Sequence, residues 1–374
     1  MKIAYDAKRA VMNMTGLGNY SRLVIDVMSR DVNNRCLLLT PRIRPNDRLE
    51  PLLKRVNVDI NSPDGAWKAF PSLWRTVGGI TSAARREKVD IYHGLSAELP
   101  LDIARSGIPS IVTVHDLIFR RYPRNFNAVD RLIYDAKARA ACRAATRIIA
   151  ISQRTRDDIV ELYDIDPSKI DVVYQGCDPI FSRPVSTQQV NQIRTKYNLP
   201  TRYIICVGTV EDRKNQMQAV EALGGIPGDV HLVIVGKNHG NYHKNVDNYI
   251  ALHNLTRRVH RLENVPFADL PPLYAGAAMA SYTSYYEGFG LPVIEAISAG
   301  TPVIAAKGSC LEEAGGPGAL YVNPDKVDDY IEKALQLLDT DTAASMVEAG
   351  RRHVARFSLE NFQKDLNKVY CQLL

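Results

Sequence analysis

Two doubly wound α/β domains facing each other across a cleft are what the sequence predicts, on three observations. Short apolar runs alternate with amphipathic stretches along nearly the whole chain, the pattern of a parallel sheet covered by helices on both faces. That rhythm pauses once, at Gln175–Gln189, where Gly176, Pro179 and Pro184 stand among polar residues. A chain of 374 residues is also too long for one ordinary core and suits two.

In the first half the strand candidates are Lys2–Asp6, Cys36–Leu39, Val58–Ile60, Ile91–His93, Ser110–His115 and Arg147–Ile151. Between them, Tyr20–Ser29, Trp74–Lys88 and Val129–Ala145 read as helices, and Ser152 stands where an N-cap belongs for Arg154–Glu161. After the pause the strands are Tyr203–Val207, Leu232–Val235, His260–Leu262, Met279–Tyr282, Pro302–Ala305 and Leu320–Val322. Helices are expected at Gln216–Leu223, Tyr242–His253, Leu270–Ala275, Leu291–Ser298 and Asp328–Leu338. The domains are placed at 1–183 and 184–356, with 357–374 returning to the first. In open α/β sheets ligands bind beyond the carboxyl ends of the strands, so the cleft should collect both domains' loops.

Composition narrows the function. Apolar residues make up 45% and charged residues 24%, as in globular proteins, and no apolar run approaches the roughly 20 residues of a membrane span. Met1–Asp6 reads as a strand and not as a signal peptide. The six cysteines lack the paired spacing of a zinc site, and with no export signal they read as reduced thiols of a cytoplasmic protein. The net charge of +6 is uneven: residues 1–185 hold 29 Lys and Arg against 21 Asp and Glu. Clusters at Arg42/Arg44/Arg48, Arg85/Arg86/Lys88 and Arg120/Arg121/Arg124, with Arg139, Arg143 and Arg147 placed along one helix face, have two readings. One is a solvated basic surface. The other is attraction to anionic lipid headgroups or a phosphate-bearing acceptor. No nucleic-acid-binding module accompanies the charge, so nucleic acid is not expected as a partner.

Four segments carry the candidate chemistry. The strongest is Ser284–Ala296, in which Glu287-Gly288-Phe289-Gly290-Leu291-Pro292 follows a strand and opens a helix. Glycines let the backbone approach a ligand closely, Pro292 fits a first helical turn, and a helix N-terminus suits a phosphate. Glu287 and Glu295 flank that anion site as acceptors for sugar and ribose hydroxyls. Ordinary helix-dipole chemistry accounts for a Glu early in a helix, but not for Gly-Phe-Gly after an acid at a strand tip. Second is Cys206–Asn215, where Arg213 and Lys214 lie in a strand-to-helix loop after Gly208 and could neutralise a diphosphate. Third, Thr15-Gly16-Leu17-Gly18-Asn19-Tyr20 resembles a truncated dinucleotide fingerprint, but Ser21 replaces the third glycine and no ribose-binding acid ends a second strand. A glycine turn closing over a donor fits better than NAD. Fourth, His93 and His115 end strands; His93 reads equally as structural, whereas His115-Asp116 is better placed to face the cleft.

Together these segments resemble the retaining GT-B glycosyltransferases of family 4, the group that includes bacterial mannosyltransferases of polysaccharide and O-antigen synthesis. The likeness runs nearly end to end: Asp6-Ala7-Lys8, the Thr15–Tyr20 turn, Val114-His115-Asp116-Leu117, Ala150–Thr155, Val207–Asn215, the Glu287–Glu295 signature and Ala299-Gly300-Thr301-Pro302. The resemblance implies a GT-B fold in which Arg213 and Lys214 hold the donor diphosphate and Gly288, Phe289, Gly290 and Leu291 offer backbone amides. It further implies that Glu287 meets the transferred sugar, Glu295 the ribose, and His115 the anomeric centre. Gly16, Gly18 and Gly208 would lie by the donor, Asn264 and Val265 by the base, and the last helix, Leu359–Leu373, would cross back to the first domain. Three departures stand out. Thr209 replaces a common basic residue, Asp6-Ala7-Lys8 replaces Asp-Ala-Arg, and Lys307–Glu313 lacks a usual Pro-Glu pair.

The chemistry expected is metal-independent hexosyl transfer with retention, needing no cofactor. A GDP-sugar, best mannose, is favoured over a UDP-sugar as donor. The partners expected are that donor, a glycan or lipid-linked saccharide acceptor, and an anionic membrane surface at the inner face of the cell membrane. A phosphorylase of the same fold and a non-catalytic nucleotide-sugar binder are the rivals. No motif names the acceptor.

Overall fold

The structure, a computed structural model describing residues 1–374, holds two compact units. Residues 1–175 with 359–374 form the first, and 176–358 form the second. The first contains seven strands: β1 (Lys2–Asp6), β2 (Arg35–Leu39), β3 (Val58–Asn61), β4 (Ile91–Gly94), β5 (Ser110–Val114), β6 (Arg147–Ala150) and β7 (Ile170–Val172). All pair in parallel in the order 3-2-1-4-5-6-7. Six strands form the second: β8 (Arg202–Val207), β9 (Val230–Val235), β10 (Val259–Leu262), β11 (Met279–Tyr282), β12 (Val303–Ala306) and β13 (Ala319–Val322). They too are all parallel, in the order 10-9-8-11-12-13. Each sheet therefore has one point where strand order reverses, between β1 and β4 and between β8 and β11. Ligands of open α/β sheets sit beyond the carboxyl ends at such points.

Strands covered on both faces need no polar alternation. β5 is buried at every position, as are β11 and β12. Around the second sheet Ile204, Leu232, Ile234, Ala219, Val220 and Tyr330 close one core. In the first unit Val112, Val114, Ile148, Ala138 and Cys142 form a core on one side, and Ala4, Leu37, Trp74, Ile80 and Tyr92 another.

Several elements depart from the sequence expectation for identifiable reasons. The single helix expected over Trp74–Lys88 is two, Pro71–Thr76 and Gly79–Arg86. The break falls at Val77-Gly78, where the chain leaves helical dihedrals. Arg147 opens β6 and does not continue the Ala128–Ala144 helix, so the expected basic stripe loses its last member. It pairs instead with Asp171 at 2.7 Å. The polar stretch after Gln175 is more ordered than its composition suggests. A short turn of helix covers Pro179–Ser182, and Ser186 caps a helix over Thr187–Tyr197 in a reciprocal Ser–Gln box. β7 and the Thr340–Val354 helix are additional elements. No helix is long and apolar enough to cross a membrane, and all six cysteines are free thiols.

The last helix, Leu359–Cys371, belongs to the first unit. Leu359, Phe362, Leu366, Val369 and Tyr370 are its buried stripe, at the spacing of one helical face. Phe362 packs near Tyr20 with ring centroids 6.1 Å apart. Tyr370 reaches the sheet interior, where its hydroxyl hydrogen-bonds His93 Nδ1 at 2.7 Å and approaches Tyr5 at 3.4 Å. His93 Nε2 meets Thr113 Oγ1 at 2.8 Å, and Thr113 lies 3.3 Å from the Tyr20 hydroxyl. His93 is fully buried, and burial lowers its pKa to about 3 with His115 adding to the effect. A neutral ring between two hydroxyls is a structural histidine, which settles the even choice left by the sequence. Replacing Tyr370 by Phe strands a buried ring nitrogen at a cost of about 1–3 kcal/mol. Urea denaturation of Tyr370→Phe should show that loss with the m-value unchanged; a loss under a few tenths of a kcal/mol contradicts this role.

Candidate functional site

At the reversal point of the second sheet, β8 ends in Val207 and the chain passes through Gly208 at φ +143°. A Cβ there would lie 3.0 Å from Lys214 Nζ, so glycine leaves the space that this side chain fills. A 3-10 turn, Asp212–Lys214, follows, and Asn215 at φ +50° redirects the chain into the Gln216–Ala222 helix. Beside it, β11 ends at Tyr282 and leads to Glu287. Two bonds tie the loops together: Tyr285 N–H donates to the Arg213 carbonyl at 2.9 Å, and Thr283 Oγ1 to the Asn215 carbonyl at 3.1 Å.

The result is a buried ionic cluster. Glu287 Oε1 lies 2.7 Å from Arg213 Nη1, 3.5 Å from Lys214 Nζ and 3.1 Å from the Tyr282 hydroxyl. Arg213 also donates to the Tyr286 carbonyl at 2.6 Å and pairs with Glu211 at 2.5 Å. Lys214 Nζ donates to the Tyr282 hydroxyl at 3.1 Å. Side-chain exposure of Arg213, Lys214 and Glu287 is only 12–15%, so each charge is held mainly by its partners. Burial opposes ionisation of Glu287, but Lys214 and Arg213 outweigh it and keep the carboxyl below its usual range. Burial likewise opposes the charge on Lys214, and the Tyr282 phenol and Glu287 more than restore it. Arg213 is raised in the same way by Glu287 and Glu211.

Beyond Glu287, Gly290 adopts φ +118° and starts the Leu291–Ser298 helix. A side chain at Gly290 would strike Leu311 Cδ2 at 2.8 Å, so the turn requires glycine twice over. Gly288 lies between Glu287 and Phe289, whose ring is buried and meets Phe357 edge-on at 5.2 Å, so that side chain anchors the loop. Cys310 Sγ donates to the Glu287 carbonyl at 3.0 Å. Glu295, in the second turn, is partly buried beside Tyr274, whose hydroxyl is 3.5 Å from Oε2. Burial raises its pKa to about 7; the Tyr274 bond opposes the rise, Asp178 adds to it and Lys214 opposes it.

The remaining expected residues are spread more widely. Asn264, at φ +55°, and Val265 follow β10, Asn264 exposed and Val265 partly so. In the first unit Gly16 and Gly18 lie not in a loop but in the first turn of the Gly16–Ser29 helix. Asn13 Oδ1 accepts there from Thr15 N–H at 2.8 Å and Gly18 N–H at 3.3 Å. His115 follows β5. Its Nε2–H donates to the Leu95 carbonyl at 2.9 Å, and its ring meets Tyr20 edge-on at 4.5 Å. Burial lowers its pKa to about 4; the Leu95 carbonyl opposes this and Arg9 adds to it. The ring is therefore neutral at physiological pH, with Nδ1 as an acceptor.

Three residues of the cluster's setting escaped the sequence reading. Tyr282 bridges Lys214 and Glu287, Glu211 braces Arg213, and Tyr274 faces Glu295. Tyr282 ends a strand five residues before Glu287, a signal a reader could use; Tyr274 comes from a separate helix and carries none.

The profile of the glycosyl transferases group 1 matches residues 189–353, and that of glycosyltransferase family 4 matches residues 17–181. O-antigen chain mannosyltransferase B of Escherichia coli is 30% identical over 290 residues, covering 75% of this chain and 73% of its own. The chain belongs to this glycosyltransferase family. O-antigen chain mannosyltransferase RfbU of Salmonella typhimurium is 27% identical, covering 68% of this chain and 67% of its own. Among solved structures, Anabaena HepE in complex with UDP and glucose superimposes with a TM-score of 0.77 at 20% identity over the whole of both chains. Sucrose-phosphate synthase of Thermosynechococcus elongatus gives 0.76 at 20%, over 100% of this chain and 99% of its own. The fold is GT-B.

In this glycosyltransferase the raised pKa of Glu295 has a measurable consequence. Between the ordinary carboxyl value of 4.5 and about 7 the folded chain holds a proton on Glu295 that the unfolded chain has lost. Stability from this group is thus present at low pH and lost as pH rises through about 7. Glu295→Gln cannot ionise, so its melting temperature relative to wild type should be higher at pH 8 than at pH 5.5. An equal difference at both pH values contradicts the shift.

Proposed function

We propose that this glycosyltransferase binds a nucleotide-sugar, GDP-mannose in the first instance, and transfers the hexose with retention to a glycan or lipid-linked saccharide. The observation that carries the reading is the convergence of Arg213 and Lys214 on Glu287 at the carboxyl ends of β8 and β11. Two buried cations held by one carboxylate can exchange that partner for a diphosphate without losing all compensation of their charge. As the bond from the anomeric carbon to the diphosphate breaks, negative charge grows on the leaving oxygen, and Arg213 and Lys214 meet it. Preorganised charges of this kind do what a divalent metal does in other transferases, so the reaction is expected to run without one.

The other roles follow the same reading. Glu287 accepts from a hydroxyl of the transferred sugar, and Glu295 from the ribose. The turn at Gly288, Phe289, Gly290 and Leu291 offers backbone N–H groups to donor oxygens at a helix N-terminus. Gly208 keeps Lys214 in place, and Asn264 and Val265 serve the base. In the first unit His115 is proposed to act on the transferred sugar, and Gly16 and Gly18 on the donor. Retention is proposed to arise by attack from the face the diphosphate leaves, the acceptor's proton passing to a phosphate oxygen. The anomeric configuration of the product by NMR decides this.

The donor assignment is supported by the names of the two O-antigen mannosyltransferases, at 30% and 27% identity. HepE, solved with UDP, makes a UDP-sugar the second reading. The basic excess of residues 1–185 supports a place at an anionic inner membrane face, where association should weaken as salt screens it.

The decisive test joins binding to chemistry. GDP at 100 times its Kd should add about 2.7 kcal/mol of stability and raise the melting temperature more than UDP or ADP does. Lys214→Ala should suppress that shift and lower kcat by about 100-fold. If no nucleotide shifts the melting temperature, or the variant loses less than threefold, the donor site lies elsewhere.

A further inference from the structure

Beside Lys214 the second unit holds a small cavity of about 10 Å³, with Gln216, Ser281 and Tyr282 in its lining. Gln216 opens the Gln216–Ala222 helix, and Ser281 precedes Tyr282 on β11. Both are buried, at 5% and 4% exposure. Gln216 Nε2 donates to the Thr209 carbonyl at 2.9 Å, which fixes the amide and leaves Oε1 buried without a donor. Ser281 Oγ is buried near the Cys206 thiol and the Tyr330 hydroxyl, yet it too lacks a hydrogen-bond partner. The third group is Lys214 itself. Its ammonium carries three protons but has two acceptors, the Tyr282 hydroxyl at 3.1 Å and Glu287 Oε1 at 3.5 Å. An acceptor without a donor, a hydroxyl without a partner and an ammonium with one proton to spare thus surround one hole. Buried polar atoms left unpaired are costly and uncommon.

The chemistry of the lining selects the occupant. A cation would meet the Lys214 charge, and an anion would meet the Gln216 carbonyl oxygen. A small neutral molecule that both donates and accepts suits all three groups, and about 10–15 Å³ is the least space that holds a water. We propose that one water molecule bridges Lys214 Nζ, Gln216 Oε1 and Ser281 Oγ, and that Gln216 and Ser281 thereby act as positioning residues for the ammonium. The water accepts from Lys214, donates to Gln216 and shares its remaining hydrogen bond with Ser281. About three such bonds are the usual complement of a buried water. Lysine is a point charge on a flexible four-carbon stem, so two bonds leave it room to turn that a third removes. A charge already in place when the diphosphate departs needs no reorganisation at that moment. The positioning role rests on the assignment of Lys214 to the donor diphosphate; the water does not.

A crystal structure of the full chain, fine enough to show ordered water, should place a peak within about 3.2 Å of all three atoms. No peak there overturns the proposal. Kinetics test the role. Ser281→Ala removes the hydroxyl and Gln216→Met the amide oxygen. Each should lower kcat about tenfold, the worth of one hydrogen bond to a charged group, with the donor KM changed by less than about twofold. Because both act through one water, the double variant should lose no more than the worse single one. Independent packing defects multiply instead, to about 100-fold, and that result overturns the shared water. So does a rise in KM with kcat unchanged, or a kcat loss below about twofold in both single variants. If Lys214→Ala is itself silent while the peak is present, the positioning role falls with the donor assignment and the water stands.

Discussion

The second unit is organised around one electrostatic constraint, the burial of Glu287 with Arg213 and Lys214. Withdrawing such charges from water costs several kcal/mol per ion, and replacing a buried pair with apolar residues often stabilises a protein. An arrangement of this kind is poorly explained by stability alone. It makes sense where the cations must be dry, fixed and available to an anionic ligand, since a low-dielectric setting strengthens each interaction. Much nearby follows from that requirement. Gly208 leaves room for Lys214, Tyr282 orients it, Glu211 braces Arg213, and the backbone bonds from Tyr285 and Thr283 lock the two loops together.

The first unit solves the same geometric problem differently. Its reversal point also carries a buried arginine between two carboxylates, Arg75 with Asp6 and Glu98. Here the pairing borders a larger cavity, of about 230 Å³. A neutral network from His93 through Thr113 and Tyr370 ties the last helix to the sheet interior. Residues 359–374 therefore bury apolar side chains in the unit that begins the chain, although the whole second unit separates them from it in sequence.

Much of this was legible in the residues. All twelve strands read from apolar runs are present, because parallel strands buried on both faces write themselves as continuous Val, Ile, Leu and Ala. Where expectation failed, a local feature had been overridden or hidden. Trp74–Lys88 has helical spacing, but two adjacent glycines let the chain break at Val77-Gly78. Gln175–Gln189 is polar enough to read as linker, yet a Ser–Gln capping box starts a helix inside it. β7 is three residues long, too short for periodicity to reveal.

By itself the sequence determined the alternation of strand and helix, the pause between two domains, and the residues of the Glu287–Glu295 turn. These are local properties, set by side-chain period, glycine and proline. Tertiary structure decided which charges meet. Glu287 could have faced solvent; only the pairing of β8 with β11 puts it against Arg213 and Lys214, 74 and 73 residues away in the chain. His93 and His115 both end strands, yet the packing of Tyr370 against one makes it a structural link, while the other keeps Nδ1 as an acceptor. The cavity at Arg75 had no signature at all, because its walls come from a loop and a helix about forty residues apart. Burial and long-range pairing are properties of the packed chain, and they fix the electrostatics on which the chemistry depends.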